Sequence, residues 1–238
     1  MVGTERTFAL LRSELDVVHR IARSHGATIN DVLLTATAAG VGALLESRGE
    51  PVTKLDLPIY VPVSLRRGGF VEGRGNLISQ MVIRLPVGPQ DPAVRLEMVA
   101  SRTVQAKALA RSSLGATFRG RILSAVMLRL VIRQRVNLCS ADLPGPQQPL
   151  NFEGARVLEV FPLMNLIGNV TLAAGAMSYA GQLDVMVVAD GAAYPDLGVF
   201  AAAARHELQS LTEATGPNRD AQPPRTSGTA ATPALTAS

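Results

Sequence analysis

The stretch formed by residues 139–196 constrains the fold more than any other part of this 238-residue chain. A rigid turn at Pro144-Gly145-Pro146 leads into three apolar runs, each with the length and composition of a β-strand. Gly181 suits a tight turn between the last two runs, so we predict that they form a hairpin. The predicted strands are residues 155–161, 169–178 and 183–188.

Two helix starts stand out in the upstream part of the chain. Ser13, with Asp16 three positions later, predicts the first start. Thr28 and Asp31 predict a second start as an acidic variant of the capping box, with the carboxylate where the helix dipole favours negative charge. The second helix runs to about residue 47 and is rich in Ala and Gly, so a neighbouring element can approach it closely.

Together with the remaining patterns, these elements predict an α/β fold in which helices flank a mixed sheet. Pro58 and Pro62 restrict one strand, residues 57–64, to an edge of the sheet or to irregular ends. Helical periodicity ends near residue 213, and the Pro-, Thr-, Ala- and Ser-rich remainder predicts one domain at residues 1–214 and a disordered tail at 215–238. The other predicted elements are strands at residues 7–11 and 77–85 and helices at 93–112 and 117–136.

Composition and charge restrict the classes of function. Aromatic residues make up only 4% of the chain, with no Trp, so stacking platforms for bases or sugars are scarce. The single Cys139 excludes an intrachain disulfide framework. The longest apolar run, residues 32–45, is shorter than the roughly 20 residues that a membrane-spanning helix needs. We also find no Gly-x-Ser-x-Gly elbow, no phosphate-binding loop and no metal-ligand spacing.

Six short motifs, taken in order, carry a resemblance. Together they resemble the C-terminal half of the bacterial wax ester synthase/diacylglycerol acyltransferase family over residues 8–211. Each motif alone is weak, and the ordered set is specific. The motifs are Thr28-Ile29-Asn30-Asp31, Pro62-Val63-Ser64-Leu65-Arg66, Gly75-Asn76, Asp142-Leu143-Pro144-Gly145-Pro146, Gly154-Ala155-Arg156-Val157 and Ser178-Tyr179-Ala180-Gly181.

The resemblance implies one half of a chloramphenicol-acetyltransferase-like two-domain fold, with a tunnel between the halves. The family's catalytic motif, His-His-x-x-x-Asp-Gly, lies in its N-terminal half, where the second His is the general base on an alcohol. This sequence does not contain the motif, and His19, His25 and His206 are isolated. We therefore expect this chain to be the C-terminal half of an acyltransferase for triacylglycerol or wax ester synthesis, and to be inactive alone. A gene split or a frameshift would separate it from the N-terminal half. Acyl-CoA is the implied co-substrate, with no bound cofactor and no metal.

The same motifs supply candidates for tunnel-lining, substrate-contacting or structural roles. For each, the structural alternative stays open: helix capping, loop bracing, turn rigidity or hairpin packing. At Asp142 the family usually has Asn, and an ionised acid cannot donate the hydrogen bond that an amide donates. The candidates are Asn30, Asp31, Ser64, Arg66, Asn76, Asp142, Pro144, Gly145, Ser178 and Tyr179.

A second hypothesis is a non-catalytic module that binds lipid or a membrane surface. No acidic residue occurs between Glu97 and Asp142, and the basic helices from Arg102 to Arg135 can face anionic lipid or the phosphates of coenzyme A. A solvated helix face explains any single charge equally well. A nucleic-acid partner ranks last, because aromatic residues and recognition motifs are scarce.

The first hypothesis also predicts partners and a location. The protein partner is an N-terminal acyltransferase half or a second copy of the chain, and the small-molecule partners are acyl-CoA and lipid substrates. The chain also contacts a membrane or lipid-droplet surface, and its location is cytoplasmic, peripheral at the inner face of the membrane. A surface that meets a partner half is apolar, so we expect an exposed apolar patch beside residues 36–44 or along the hairpin strands.

Overall fold

The fold is described by a computed structural model over residues 2–64, 78–113 and 136–216. Within these residues, eight strands and four helices form an α/β structure. The strands are β1 (Arg6–Glu14), β2 (Asp56–Ser64), β3 (Ile78–Pro86), β4 (Leu138–Pro144), β5 (Asn151–Phe152), β6 (Ala155–Arg156), β7 (Leu172–Tyr179) and β8 (Gln182–Asp190). The helices are α1 (Leu15–Ser24), α2 (Ile29–Ser47), α3 (Pro92–Ser113) and α4 (Leu197–Thr215).

Six strands form one mixed sheet in the order β1-β8-β7-β4-β2-β3. The central strands β7, β4 and β2 run parallel, whereas β1, β8 and β3 run antiparallel to their neighbours. β5 and β6 form a separate two-residue ribbon within the segment that joins β4 to β7. This segment, residues 145–171, is called the crossover below, because parallel neighbours cannot be joined by a tight turn.

The core lies on the face of the sheet that the helices cover. Alternate strand residues such as Leu138, Leu172 and Val187 belong to one buried cluster with residues of all four helices. α2 is the central helix of that cluster. Within the described residues it is also the one helix long and apolar enough to cross a membrane, but 67% of its apolar window is buried inside the fold.

The predicted hairpin is confirmed. Tyr179 pairs with Gln182 across a two-residue turn, and Ala180 and Gly181 both have positive φ, at 45° and 87°. A turn with two left-handed residues matches the twist of antiparallel strands, and glycine adopts that conformation without steric cost.

One predicted helix start is confirmed and the other is wrong. At α2, Thr28 Oγ1 accepts from Asp31 N, and Asp31 Oδ2 accepts from Thr28 N at 2.8 Å, which completes the capping box. Ser13 does not cap α1, because β1 continues to Glu14, opposite Gln182. The first amide of α1, Leu15 N, donates instead to Gly181 O at 2.9 Å, so the hairpin turn takes the place of a side-chain cap.

Two strand predictions are corrected, and one strand was not predicted. The strand expected at residues 155–161 is limited to β6, because the chain then leaves the ribbon and crosses the sheet. β4 was not predicted, because Cys-Ser-Ala-Asp shows no apolar alternation. Of the two alternatives for residues 57–64, the edge position is wrong, because β2 is an interior strand. Its prolines are tolerated because its ladder with β4 is limited to pairs at Ile59 and Tyr60.

The exposed apolar patch does not lie where it was predicted. Residues 36–44 are largely buried, and so are most residues of the hairpin strands β7 and β8. Large exposed apolar side chains lie instead on the crossover and along α3. The helix predicted at residues 117–136 and the tail predicted at 215–238 lie almost entirely outside the described residues, so the domain boundaries stay a prediction.

Close packing against α2 gives the first testable prediction. A Cβ on Gly42 would lie 2.0 Å from Val87 O, whereas a Cβ on Gly198, in α4, would meet nothing within 4 Å. We expect Gly42→Ala to lower the free energy of unfolding by about 2 kcal/mol, because backbone must move. Gly198→Ala should raise it by up to about 1 kcal/mol, because Ala favours helix. Urea denaturation measures both, and equal effects would contradict the close contact.

Candidate functional site

The strand directions bring several candidate residues to one edge of the sheet. β2, β4 and β7 are parallel, so their carboxyl ends, at Ser64, Pro144 and Tyr179, lie on the same edge, called the candidate edge below. In open α/β sheets, ligands bind outside the carboxyl ends of the strands. Arg66 and Asn76, which sequence reasoning also selected, lie outside the described residues.

The Pro-Gly-Pro turn and the hairpin form one unit at this edge. Gly145 N donates to Ser178 Oγ at 3.2 Å, and Ala180 N donates to Pro146 O at 3.0 Å. A Cβ at Gly145 would lie 2.2 Å from Ser178 O, so only glycine allows the turn to approach β7. Two motifs that lie more than thirty residues apart in the sequence are thus in direct contact. Their described contacts support the structural alternative for Pro144, Gly145 and Ser178.

Tyr179 anchors the crossover. Its side chain is 1% exposed, and its hydroxyl accepts from Leu150 N at 2.7 Å and donates to Val157 O at 2.9 Å. These two bonds tie both flanks of the β5–β6 ribbon to the end of β7. The hydroxyl is therefore occupied by backbone partners.

Asp142 lies on β4, on the face that the helices cover, opposite Ala176 of β7. It is half-buried, and burial raises the pKa of its carboxyl above the ordinary value. Two residues earlier on the same face, Ser140 is fully buried, and its Oγ has no partner among the described residues. A raised pKa shifts this carboxyl towards its protonated form, which donates a hydrogen bond as an amide does.

Asp31 and Asn30 begin α2 near the same edge. Val32 and Leu33, in the first turn of α2, line a small apolar space together with Ser13 and Leu183, which lie at that edge. Asp31 is 3% exposed; its Oδ2 also accepts from Thr28 Oγ1 at 2.7 Å, and its Oδ1 has no partner among the described residues. Helix capping is thus its observed role, and Asn30 is half-buried beside it.

Sequence reasoning missed a second polar group, beneath the crossover. Asp184 on β8 is buried, and its Oδ2 accepts from Val160 N at 3.2 Å. Burial raises the pKa of Asp184. Beside it, Arg12 binds Glu159 through two hydrogen bonds, and the Arg12 guanidinium lies 5.1 Å from the centre of the Phe161 ring. The one available signal was an acid in an otherwise apolar strand.

Two larger cavities lie away from the motifs. One, of about 460 Å³, is lined by Leu44, Leu57, Leu138 and Tyr194, at the end of the sheet opposite the candidate edge. The other, of about 470 Å³, is a groove between α2 and α4 that includes His206. Of the candidate residues whose side chains the structure describes, none lines either cavity.

His25 and Arg102, the first residue of the basic interval, each lie beside an acidic side chain of the fold. His25 Nδ1 lies 4.0 Å from Glu97 Oε1, and His19 is in α1. Arg102, the first residue of the basic interval, binds Asp56 Oδ1 at 2.7 Å and Arg84 O at 2.6 Å. Its charge is therefore used within the fold, and residues 114–135 lie outside the described residues. Among those described, no cluster of His, Cys, Asp and Glu is grouped to hold a metal ion.

Sequence comparison identifies relatives over most of the chain. The family described as "WS/DGAT C-terminal domain" matches residues 74–212. A Mycobacterium tuberculosis protein named as a diacylglycerol O-acyltransferase, tgs1, is 31% identical over 205 residues, which are 82% of this chain and 44% of that protein. The Acinetobacter baylyi "O-acyltransferase WSD" is 27% identical over 219 residues, 87% of this chain and 46% of the relative. The chain thus spans less than half the length of these relatives.

Solved structures agree in fold. The wax ester synthase/diacylglycerol acyltransferase from Marinobacter aquaeolei VT8 superposes with a TM-score of 0.72 at 19% identity, over 90% of this chain and 50% of that one. The first condensation domain of the CDA synthetase gives 0.52 at 18% identity, over 88% and 46% of the two chains. The predicted fold, one half of a chloramphenicol-acetyltransferase-like architecture, is confirmed.

The Tyr179 hydroxyl gives a prediction about the crossover. In Tyr179→Phe, Leu150 N–H and Val157 C=O lose their partner, so we expect the free energy of unfolding to fall by about 2 kcal/mol. Cleavage between residues 147 and 167 in limited proteolysis should accelerate. Tyr194→Phe, which loses one bond to Thr171 Oγ1, is the control and should have the smaller effect. Unchanged proteolysis in Tyr179→Phe would contradict the anchoring role.

Asp142 gives a prediction about pH. Because burial disfavours its ionised form, Asp142→Asn should raise the free energy of unfolding at pH 7 by about 1 kcal/mol. Because the pKa of Asp142 is higher in the folded state than in the unfolded state, its ionised carboxylate destabilises the fold at pH values above that raised pKa. The penalty, and with it the gain from Asn, disappears as pH falls through the raised pKa towards the ordinary carboxyl value. Glu153→Gln, at an exposed carboxylate, is the control for thermal melts from pH 4 to pH 8.

Proposed function

Because the chain belongs to the WS/DGAT C-terminal domain family, we propose that it is one half of an acyl-CoA-dependent O-acyltransferase that forms triacylglycerol or wax esters. The acceptor is diacylglycerol or a long-chain alcohol, and acyl-CoA is the donor. The observation that carries this proposal is the family match over residues 74–212, which includes the motifs that meet at the candidate edge. The same proposal gives a cytoplasmic location with peripheral contact at the inner face of the membrane.

The chemistry requires a base that the described candidate residues do not supply. An alcohol at neutral pH is a poor nucleophile, so a base must take the hydroxyl proton as the oxygen attacks the acyl thioester. The tetrahedral intermediate then collapses, the carbon–sulfur bond breaks, and the thiol of coenzyme A leaves. Of the two candidate carboxyls, Asp31 caps a helix, and burial raises the pKa of Asp142. We assign the base to the His-His-x-x-x-Asp-Gly motif of the other acyltransferase half.

In this proposal, the chain contributes a rigid wall of the substrate tunnel. The Pro-Gly-Pro turn is held on β7 by Gly145 and Ala180, and Tyr179 holds the crossover beside it. Rigid backbone positions substrate without loss of entropy at the reaction step, which is how a wall without a base raises the rate. Pro144, Gly145, Ser178 and Tyr179 are thus positioning residues.

The test is a fusion of this chain to the part of tgs1 that the chain does not match. With palmitoyl-CoA and diacylglycerol, the fusion should release free thiol and form triacylglycerol, and this chain alone should do neither. A fusion whose second motif histidine is replaced by Ala is the matched control and should lose activity by at least a hundredfold. Ester formation by this chain alone, abolished by His206→Ala, would show that the base lies here and would refute the proposal.

A further inference from the structure

The groove between α2 and α4 contains polar groups that the proposed acyl transfer does not use. Its volume of about 470 Å³ lies within the range of small-molecule sites, and none of the described residues at the candidate edge lines it. The turn that joins β3 to α3, together with the start of α3, forms its third wall. The polar residues that line this space, called the helix groove below, are Glu46, Gln90, Arg95, His206, Glu207 and Ser210.

Two N–H groups in the walls of the helix groove lack an acceptor. Arg95 is 4% exposed, its Nη1 binds Glu207 Oε1 and its Nη2 donates to Gly88 O at 2.9 Å. Its Nε has no partner among the described residues. Nε2 of the half-buried Gln90 is also shielded from water, and it too is unpartnered within the described part of the chain. Because a buried donor without an acceptor destabilises a fold, both groups favour a bound acceptor.

The backbone of the third wall is fixed by contacts within the protein. Asp91, next to Gln90, caps α3 by accepting from Ala93 N at 2.9 Å. A Cβ at Gly88 would lie 2.8 Å from Val52 O, so the turn packs closely on the segment after α2. The turn thus keeps its position without a ligand, and binding costs little loss of conformational freedom.

Charge and hydration favour a neutral ligand over an anion. Apart from His206, the ionisable residues that line the helix groove are Glu46, Arg95 and Glu207. Glu207 already balances the charge of Arg95, so the remaining charge is negative. Burial raises the pKa of the Glu207 carboxyl in spite of this ion pair, which indicates that the wall is poorly hydrated and disfavours a further anion.

We propose that the helix groove binds a small neutral amide. The carbonyl oxygen of the amide supplies the missing acceptor for Arg95 Nε and Gln90 Nε2. Its N–H donates to the carboxylates of the same groove, which a ketone or an ester cannot do. The site is separate from the candidate edge, so its ligand is distinct from the acyl donor and the alcohol of the proposed function.

The experiment is a titration of the full chain, followed by two-dimensional proton–nitrogen NMR. The probes are benzamide, benzoate and toluene, which share a ring and differ in the substituent. Benzamide should shift the Arg95 Nε–H and Gln90 side-chain resonances saturably, with a dissociation constant in the millimolar range expected for so small a molecule. Toluene lacks the acceptor and benzoate adds negative charge, so each should bind more weakly by about fivefold or more.

Two substitutions of the same kind locate the site. Gln90→Met removes one donor and keeps the length of the side chain, so it should weaken benzamide binding by about fivefold. Gln209→Met is the matched control on α4, where Gln209 donates to Glu213 Oε1 at 3.3 Å and does not line the helix groove. It should leave the dissociation constant unchanged. Thermal melts check that both variants fold.

Any of four results would overturn the inference. Absence of a saturable shift with benzamide would mean that the two donors bind water only. Equal or tighter binding of toluene or benzoate would refute a neutral amide as the ligand. Shifts confined to the candidate edge would place the ligand elsewhere, and equal affinities of Gln90→Met and Gln209→Met would remove Gln90 from the site.

Discussion

The parallel pairing of β4 with β7 is the constraint on which the rest of the structure depends. Parallel neighbours need a connection that leaves the sheet and returns, and here that connection is the crossover, not a helix. Three tertiary contacts hold it: Gly145 N on Ser178 Oγ, the Tyr179 hydroxyl between Leu150 and Val157, and Val160 N on Asp184. The same contacts form the candidate edge and orient the exposed apolar side chains, so structural and proposed functional features have one origin.

The small residues of α2 explain how helices fill the face of the sheet that they cover. Gly40 lies so close to Phe200 of α4, and Gly42 so close to Val87, that any side chain there would clash. α4 therefore packs directly on α2, and the buried pair of Arg95 with Glu207 joins α3 to α4. The described helices all lie on one face of the sheet, and the crossover packs on the opposite face. A sheet covered on one side by a thin segment is suited to packing against a second domain.

The candidate site was partly predictable. Gly145, Ser178 and Tyr179 were selected from motifs, and the structure places them in one unit, but the order of motifs gave no information on which would touch. Their described hydrogen bonds join side chains to backbone groups. Asp184 was missed because one acid in an otherwise apolar strand is a weak local signal, and Ser140 was missed because β4 itself was not predicted. Whether such a residue is buried depends on which segment covers it.

The sequence by itself determined the local features: the Thr28–Asp31 capping box, the two-residue turn at Ala180-Gly181, the apolar periods and the family motifs. Each of these features depends on interactions between residues close together in the sequence, and the types of those residues decide the interactions. Only the tertiary structure decided the interior position of β2, the existence of β4, the path of residues 157–171 and the replacement of a Ser13 cap by the hairpin turn. These depend on pairing between segments far apart in the chain, and that pairing is chosen by the burial of the whole core and leaves no local signature.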